Sequence, residues 1–564
     1  MINKFTLYLF VLFSFFELQA QSPIFFDGRI IEWDNSNQVI DDADDGGFFD
    51  MLSFNIDNDQ HFVYLTIEFE NEINLTEDNP IVLYLDTDNN SNSGVQYNGI
   101  GADLVWNFGD NEGTFYYNNQ NYFVGFSDVK MRALPSHTAK HFEVAFGKDV
   151  VVPFANQALF PNNSIRVIFA DPTSGDHIPN LNASYEYFID ETAPASLSMP
   201  LEKLDAATVR LLNWNTEFDG ILELNRRASF IEVLQATQPE IIAFQEVWAS
   251  TEVDVSELLT EAFGENATWY VAKNQDNNII ASKYPFLGDY NILAGARLQA
   301  ILIDLPDLYD DDLLIVNAHL SCCGADDNRQ DQANAFANFI LDVKDNSFTG
   351  FDVAPGTPFL LTGDLNLVGE YQQLETMLTG TTYDNGTVGG GPLDWNSGDL
   401  ENLFARQTEL PVAYTWRNDF SNFPPGKLDY VIYSSSVMDI ENSYIIQTET
   451  MSADKLNQYN LNAEATSTAS DHFPIVADLK ISTIVDVFEQ EVNSISVYPN
   501  PFKDELYITN DESPNTSIKV YNLNGTIVYY GESLKTQNKL YLNNLSAGIY
   551  LLQIDEYFIR IVKH

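Results

Sequence analysis

Cysteine is nearly absent. The 564 residues contain two, and they are neighbours, Cys322 and Cys323. No disulfide framework can staple distant segments, so each domain must stand on its own core. Adjacent Cα atoms sit closer than a disulfide prefers, and a bridge here would be strained and reducible. The expectation for the pair is a local clamp of the loop after His319, ahead of a redox or metal role. Positive charge is scarce too: Lys and Arg total 27 against 82 Asp and Glu, a formal charge of −55. A field of that sign repels nucleic acid and anionic membranes at long range and attracts divalent cations. Solubility in a salty medium accounts for it equally well. Past the N-terminus, no run approaches 18 uninterrupted apolar residues, so no spanning helix is expected there.

What is present is apolar and aromatic residue, 45% and 13% of the chain, which excludes global disorder. The length predicts about three or four domains. Lys4 followed by the short apolar run 5–16 and Leu18-Gln-Ala20 reads as a secretory signal peptide over residues 1–20, with a short anchor as the alternative. Residues 23–192 alternate in short runs such as His61-Phe-Val-Tyr-Leu-Thr-Ile-Glu between Asn/Asp/Gly turns, predicting an all-β sandwich. Residues 193–206 are small and proline-bearing, a linker. From 207 to 481 strands alternate with helices, which predicts a layered α/β domain. A small β-module covers 494–564.

Inside the first module, Asp27-Gly-Arg-Ile-Ile-Glu-Trp33 and the stretch from Leu85-Asp86-Thr-Asp88 to Gly99-Ile-Gly-Ala-Asp103 resemble extracellular sandwiches of the family-9 carbohydrate-binding type. That resemblance implies a polysaccharide partner. Asp86, Asp88, Asn90 and Asn92 begin like a calcium loop, with oxygen ligands at alternate positions, but Ser91 and Tyr97 stand where an EF-hand needs glycine and glutamate. A structural Ca2+ held by Asp86, Asp88 and Asp103 and a plain solvated turn remain the two readings.

The candidate chemistry lies at strand ends of the α/β domain. Val209-Arg-Leu-Leu-Asn-Trp-Asn215 is a buried strand followed by Glu217, and Ile241-Ile-Ala-Phe-Gln-Glu246 is a second. Leu313-Leu-Ile-Val-Asn-Ala-His319-Leu is a third, and Pro358-Phe-Leu-Leu-Thr-Gly-Asp364-Leu-Asn366 the central one. Asp429 begins a late strand, and Ser470-Asp471-His472 precedes the last. One such acid would be an ordinary core polar group, and Gly-Asp-Leu-Asn alone reads as a turn. A whole set of acids, amides and histidines at strand ends is harder to explain as packing, because each would need its own buried partner.

In this order Trp214-Asn215, Gln245-Glu246, Asn317-Ala-His319-Leu, Gly363-Asp364-Leu-Asn366, Leu428-Asp429-Tyr and Ser470-Asp471-His472 resemble the endonuclease/exonuclease/phosphatase superfamily. The resemblance implies a central four-layer α/β sandwich and a divalent-metal-dependent hydrolase of phosphate esters. Its cofactor would be Mg2+, with Mn2+ or Ca2+ possible. It implies Glu246 as main metal ligand assisted by Asn215, with Glu217 and Asp471 near the metal. Asp364 would activate water, Asn366 and His319 donate to phosphate oxygens, and His472 paired with Asp429 act as acid/base or cation. Arg329 matches a positively charged family position, a phosphate contact or a surface arginine. The substrate class stays open between nucleic acid and a phospholipid or small organic phosphate, and no stable protein partner is implied. The tail phrases Val497-Tyr-Pro-Asn-Pro501-Phe, Ile518-Lys-Val-Tyr-Asn-Leu-Asn-Gly525 and Leu545-Ser-Ala-Gly-Ile-Tyr-Leu-Leu-Gln553 look like the sorting domain of the type IX secretion system, which implies that machinery as partner and a secreted or cell-surface location. The competing reading is a surface glycan-binding protein with an inactive phosphoesterase fold.

Overall fold

The computed structural model describes residues 24–563 apart from 34–36, 42–44, 181–182, 194–197, 275, 296, 310, 385, 482–494, 501, 511–515, 523–526, 534–536, 547 and 555–556. The expected signal segment 1–20 and part of the expected linker lie outside the described residues. Among those described, no helix is long and apolar enough to cross a membrane.

Residues 39–188 form two facing antiparallel sheets. One runs Val39–Ile40, Met51–Asn58, Phe62–Ile73, Ala139–Gly147, Arg132–Leu134 in spatial order. The other runs Asp176–Ile178, Ser164–Asp171, Val82–Asp86, Leu104–Asn107, Glu112–Tyr117, Gln120–Val124, with Tyr185–Phe188 also beside Ser164–Asp171. Period-2 alternation sorts the side chains. Leu65, Ile67, Phe142 and Val144 meet Leu83, Leu85, Trp106 and Phe169 in one core. Phe62, Tyr64, Leu134 and Ala145, on the other face of the first sheet, join the core of the central domain instead. The sandwich is therefore fused to its neighbour through apolar surface, and the described residues from 24 to 481 make one compact unit. The expected linker is likewise docked from Met199 onward. The Met199 N–H bonds the Thr408 carbonyl, and the buried Leu201 carbonyl accepts from Arg210 and Tyr444.

The central domain is built from β1 (Val209–Asn215), α1 (Leu224–Thr237), β2 (Ile241–Gln245), α2 (Glu252–Phe263), β3 (Leu313–His319), α3 (Asp326–Lys344), β4 (Phe359–Asp364), α4 (Gln372–Thr379), β5 (Asp429–Tyr433) and β6 (Ile475–Ile481), with further edge strands. Six strands in the order Tyr270–Lys273, Ile279–Ser282, β2, β1, β6, Met438–Ile445 make one sheet. Phe286–Asn291, Leu298–Ile303, β3, β4, β5, Glu401–Asn402 make the other. Pairs β1/β2 and β3/β4 are parallel, while β6 and β5 run against them. Helices α1 and α2 cover Leu212, Trp214, Ile242 and Phe244 on one outer face. On the other, α3 supplies Phe336 and Ile340 against Val316 and Leu361, and α4 adds Leu374.

The layer between the sheets changes character along its length. At one end it is hydrocarbon: Leu211, Ile241, Leu313, Ile315, Leu360, Val431 and Ala477. Toward the other end of these strands, an even number of residues away and so on the same face, stand Asn213 and Asn215, Gln245, Asn317 and His319, Thr362 and Asp364, and Asp429. All of these are buried. The described residues from 495 to 563 form a separate unit. It has a three-stranded and a four-stranded antiparallel sheet around Leu506, Ile508, Val520 and Leu552.

Candidate active site

Register brings the site together. His319, Asp364 and Asp429 stand opposite one another on the adjacent strands β3, β4 and β5, so their side chains leave the sheet on one side. Gly363 makes the close pairing possible: a Cβ there would lie 1.8 Å from the Ala318 carbonyl oxygen. From the facing sheet come Asn215, closing β1, and Glu246, one residue past β2 with φ +58. Asp364 Oδ2 is the hub. It accepts from Asn215 Nδ2 at 2.9 Å, and His319 Nε2 and His472 Nε2 lie 3.7 and 3.8 Å away. The same Asn215 amide reaches Glu246 Oε1 at 3.1 Å, and His319 Nε2 is 3.9 Å from that oxygen. His472 Nδ1 is 2.8 Å from Asp429 Oδ2. His472 is held by its backbone, its N–H bonding Ser470 Oγ and its carbonyl accepting from Trp214 Nε1.

Burial sets the charges. Desolvation opposes an imidazolium at His472, but Asp429 and then Asp364 outweigh it and push the group up to about 10. His319 moves the other way: burial, Arg297 and His472 hold it well below its ordinary value, so it is neutral. The Asn277 amide, assigned as donor, meets His319 Nδ1 at 2.7 Å, which leaves the proton on Nε2 facing the acids. Burial raises Asp364 to about 7 against the pull of His472, with Asp429 and Glu246 adding to the rise. Two carboxylates and an imidazole, Glu246, Asp364 and His319, place ligand atoms within 4.8 Å of one another. A floor of buried acids with oxygen donors converging on one point fits a divalent cation.

Residues 212–472 match the family model of the Endonuclease/Exonuclease/phosphatase family. The central domain belongs to that family. It is therefore a phosphoester hydrolase domain of a family that generally uses divalent metals. Residues 496–563 match the Secretion system C-terminal sorting domain, which marks the chain for secretion or the cell surface. Among solved structures, D. rerio TDP2 complexed with single strand DNA product is 15% identical, with 49% of this chain and 99% of that one covered and a TM-score of 0.32. An endonuclease/exonuclease/phosphatase family protein from Leptotrichia buccalis C-1013-b gives 14%, 48%, 100% and 0.32. ANGEL2, a 2',3'-cyclic phosphatase, in complex with adenosine-2',3'-vanadate gives 12%, 48%, 95% and 0.31. No curated protein matches the chain.

Within this phosphoesterase domain the sequence candidates divide. His319, Asp364, Asp429, His472, Glu246 and Asn215 converge, but Asn215 turns its oxygen to the Glu217 N–H and offers the acids its NH2 group. It is a bridge between two repelling carboxylates. Glu217 and Asp471 flank the centre on a cavity of about 330 Å³ shared with Arg417 and Phe420. Burial and Asp471 raise Glu217, and Arg226 pairs with it at 3.0 Å. Asn366, at φ +48, gives its backbone N–H to Asp364 Oδ1 and an amide hydrogen to the Leu320 carbonyl. Arg329 is not at the site. It is fully buried and donates to Gln373, to the Ser321 and Cys323 carbonyls and to Asp326, so no N–H fork is left for a phosphate. The helix α3 that carries it faces the core there rather than the cleft.

Sequence reasoning missed Arg297. Its carbonyl accepts the His319 N–H, and its guanidinium is close enough to feel Asp364, Asp276 and Glu246, though burial lowers it. It also missed the amide chain Asn213–Gln245–Asn317, in which Gln245 Nε2 reaches both neighbours at 2.8 Å and ties the two sheets beneath the acids. Asparagine and glutamine at every second position after an apolar strand was the available signal.

Proposed function

We propose that the domain hydrolyses phosphodiesters with Mg2+ as its metal, outside the cytoplasm, on substrates that carry an apolar or planar group beside the phosphate. The observation that carries this is the convergence on Asp364 of two histidines in opposite protonation states and an amide that also holds Glu246. Glu246 would be the main ligand of the metal, with Glu217 and Asp471 alongside; a bound cation supplies neutralisation of charge on the phosphoryl oxygens. Asp364, raised by burial, orients the attacking water and accepts its proton. Neutral His319 donates from Nε2 to a non-bridging oxygen. Cationic His472 gives a proton to the leaving oxygen, and Asp429 holds its ring. The rim supports the substrate class: Phe218, Trp248 and Phe420 are exposed around the acids, with Trp248 edge-on to His319 at 6.2 Å. Arg417 is paired with Asp419, and Lys273 is bonded to the Trp248 and Ser250 carbonyls, so neither of these two cations is free to track a nucleic-acid backbone.

A hydrolysis panel of purified protein with Mg2+ or EDTA tests this, using bis-p-nitrophenyl phosphate, sphingomyelin, RNA and duplex DNA. Turnover that EDTA abolishes and that Asp364→Ala and Glu246→Ala lower by at least about 10²-fold is expected. Wild-type rates in those two variants would sink the assignment.

A further inference from the structure

The sandwich holds an acid cluster that the phosphoesterase chemistry does not use. Asp86 ends the strand Val82–Asp86, Asp103 precedes the strand paired with it, and Asp88 lies in the turn between. One ligand atom from each lies within 4.8 Å of the other two. Asp103 Oδ2 accepts from the Thr87 and Asp88 N–H groups, and Asp86 Oδ1 and Asp88 Oδ1 both accept the Asn90 N–H. What the turn leaves over is Asp86 Oδ2: its side chain has no exposed surface, and this oxygen has no hydrogen-bond donor. The nearest cation, Arg166, stands off at 3.8 Å and answers one charge of three. An uncompensated buried carboxylate oxygen costs several kcal/mol unless something positive occupies the space it faces. Burial and its two acidic neighbours accordingly push Asp103 up to about 7.

We infer that Asp86, Asp88 and Asp103 bind a calcium ion that the sandwich needs for its full stability. Calcium suits the site better than magnesium. Magnesium sheds its waters reluctantly, whereas Asp86 can bind only an ion that has lost them on that side, and oxygens about 4.6–5.2 Å apart can face each other across calcium. Outside the cell calcium reaches the roughly millimolar level at which extracellular modules load, so the exported protein would gain stability the unexported one lacks. This site is separate from the phosphoester centre, and its failure would leave that reading intact.

The test is the melting temperature of the full chain in EDTA, in 2 mM Ca2+ and in 2 mM Mg2+. Wild type should gain several degrees with Ca2+ and markedly less with Mg2+. Asp86→Asn and Asp103→Asn should lose that gain, yet melt no lower than wild type in EDTA, because each removes one of three repelling charges. Glu246→Gln at the hydrolytic centre should keep the gain, and so should Asp176→Asn in a second acidic cluster of the sandwich, where Asp176 stands with Asp41 and Asp45. Calorimetric titration of the Glu246→Gln/Asp176→Asn double variant, which needs no change at the site itself, should still show one calcium bound. An equal shift with Mg2+, a shift retained in Asp86→Asn, or no calcium bound by the double variant overturns the inference.

Discussion

Replacing Asp429 by Asn separates charge from shape at the site. Asp429 Oδ2 sits 2.8 Å from His472 Nδ1 and is the largest influence raising that ring to about 10, ahead of Asp364. The ring itself is buried, so without the carboxylate its desolvation cost stays while most of the compensation goes. An asparagine oxygen still accepts from Nδ1 and keeps the ring in place, but it cannot stabilise the cation. A return to the ordinary value near 6.5 is the conservative outcome, worth roughly 5 kcal/mol at 1.36 per unit. At pH 8 the protonated fraction then falls from about 99% to about 3%, so proton donation slows roughly 30-fold; near pH 5.5 the loss shrinks to little more than nothing. The assay is the pH dependence of kcat on two phosphodiesters, one with an alkoxide and one with a nitrophenolate leaving group. The alkyl ester should lose rate on the alkaline side in the variant, with the limb moved down by several units. The nitrophenyl ester, which departs without a proton, should lose much less. Superimposable alkaline limbs for wild type and variant on the alkyl ester would refute the assignment of His472 as proton donor.

Three more outcomes follow from the same contacts. Arg329→Met should lower the melting temperature by the equivalent of about 3–5 kcal/mol, because it strands the Ser321 and Cys323 carbonyls and Asp326, while KM of the folded fraction stays put; a KM effect without a melting shift would return Arg329 to the phosphate. Arg297→Gln should raise KM about tenfold with little change in melting, since the side chain is half-buried and holds Ser321 Oγ only through a long bond of 3.3 Å; unchanged KM would remove Arg297 from the site. Lys427, buried against Phe404 and Tyr430, is lowered by burial to about 7, so between pH 7 and 10.5 the unfolded chain carries a proton the folded one lacks. Stability must rise with pH through that window, and the melting temperature of wild type relative to Lys427→Met should climb between pH 7 and 9; parallel curves would contradict it.

Much of the central domain was legible because its strands are strict in two ways. Runs such as Leu313-Leu-Ile-Val and Phe359-Leu-Leu are buried on both faces, and each ends in polar residues that keep the same period. Reading every second residue from Ile315 gives Asn317 and His319, and from Leu360 it gives Thr362 and Asp364, which is how one-dimensional alternation reports a three-dimensional floor. Arg329 shows where such reading fails. A basic residue near a helix start looks exposed by type, and only the tertiary packing of Gln373 and the Ser321–Cys323 turn around it makes it internal. Asn215 shows a subtler limit, because its residue type suits a ligand, while which end of the amide faces the acids is set by the backbone N–H of Glu217. Arg297 was invisible for lack of a neighbour in sequence, its site partners lying at Glu246 and His319.

The sandwich changes meaning once its contacts are followed. Read as a sequence it is a detachable module on a linker, but its Thr138 N–H bonds the Gly369 carbonyl at 2.8 Å and its Thr138 hydroxyl receives the Tyr371 N–H at 2.9 Å. Asn74 reaches the Val368 carbonyl. These three residues continue the chain directly from Asn366, whose backbone N–H fixes one oxygen of Asp364. From the other side Asp326 accepts the Glu370 N–H, and Gly369 has no room for a side chain because Asp326 and Arg329 fill the space. The segment after the central strand is thus gripped between the sandwich and the Arg329 network, while Phe26, Phe62 and Tyr64 extend the apolar layer between the two sheets. Whatever else the sandwich binds, its packing makes it a wall of the hydrolytic domain, and the position of Asp364 depends on residues more than two hundred positions earlier in the chain.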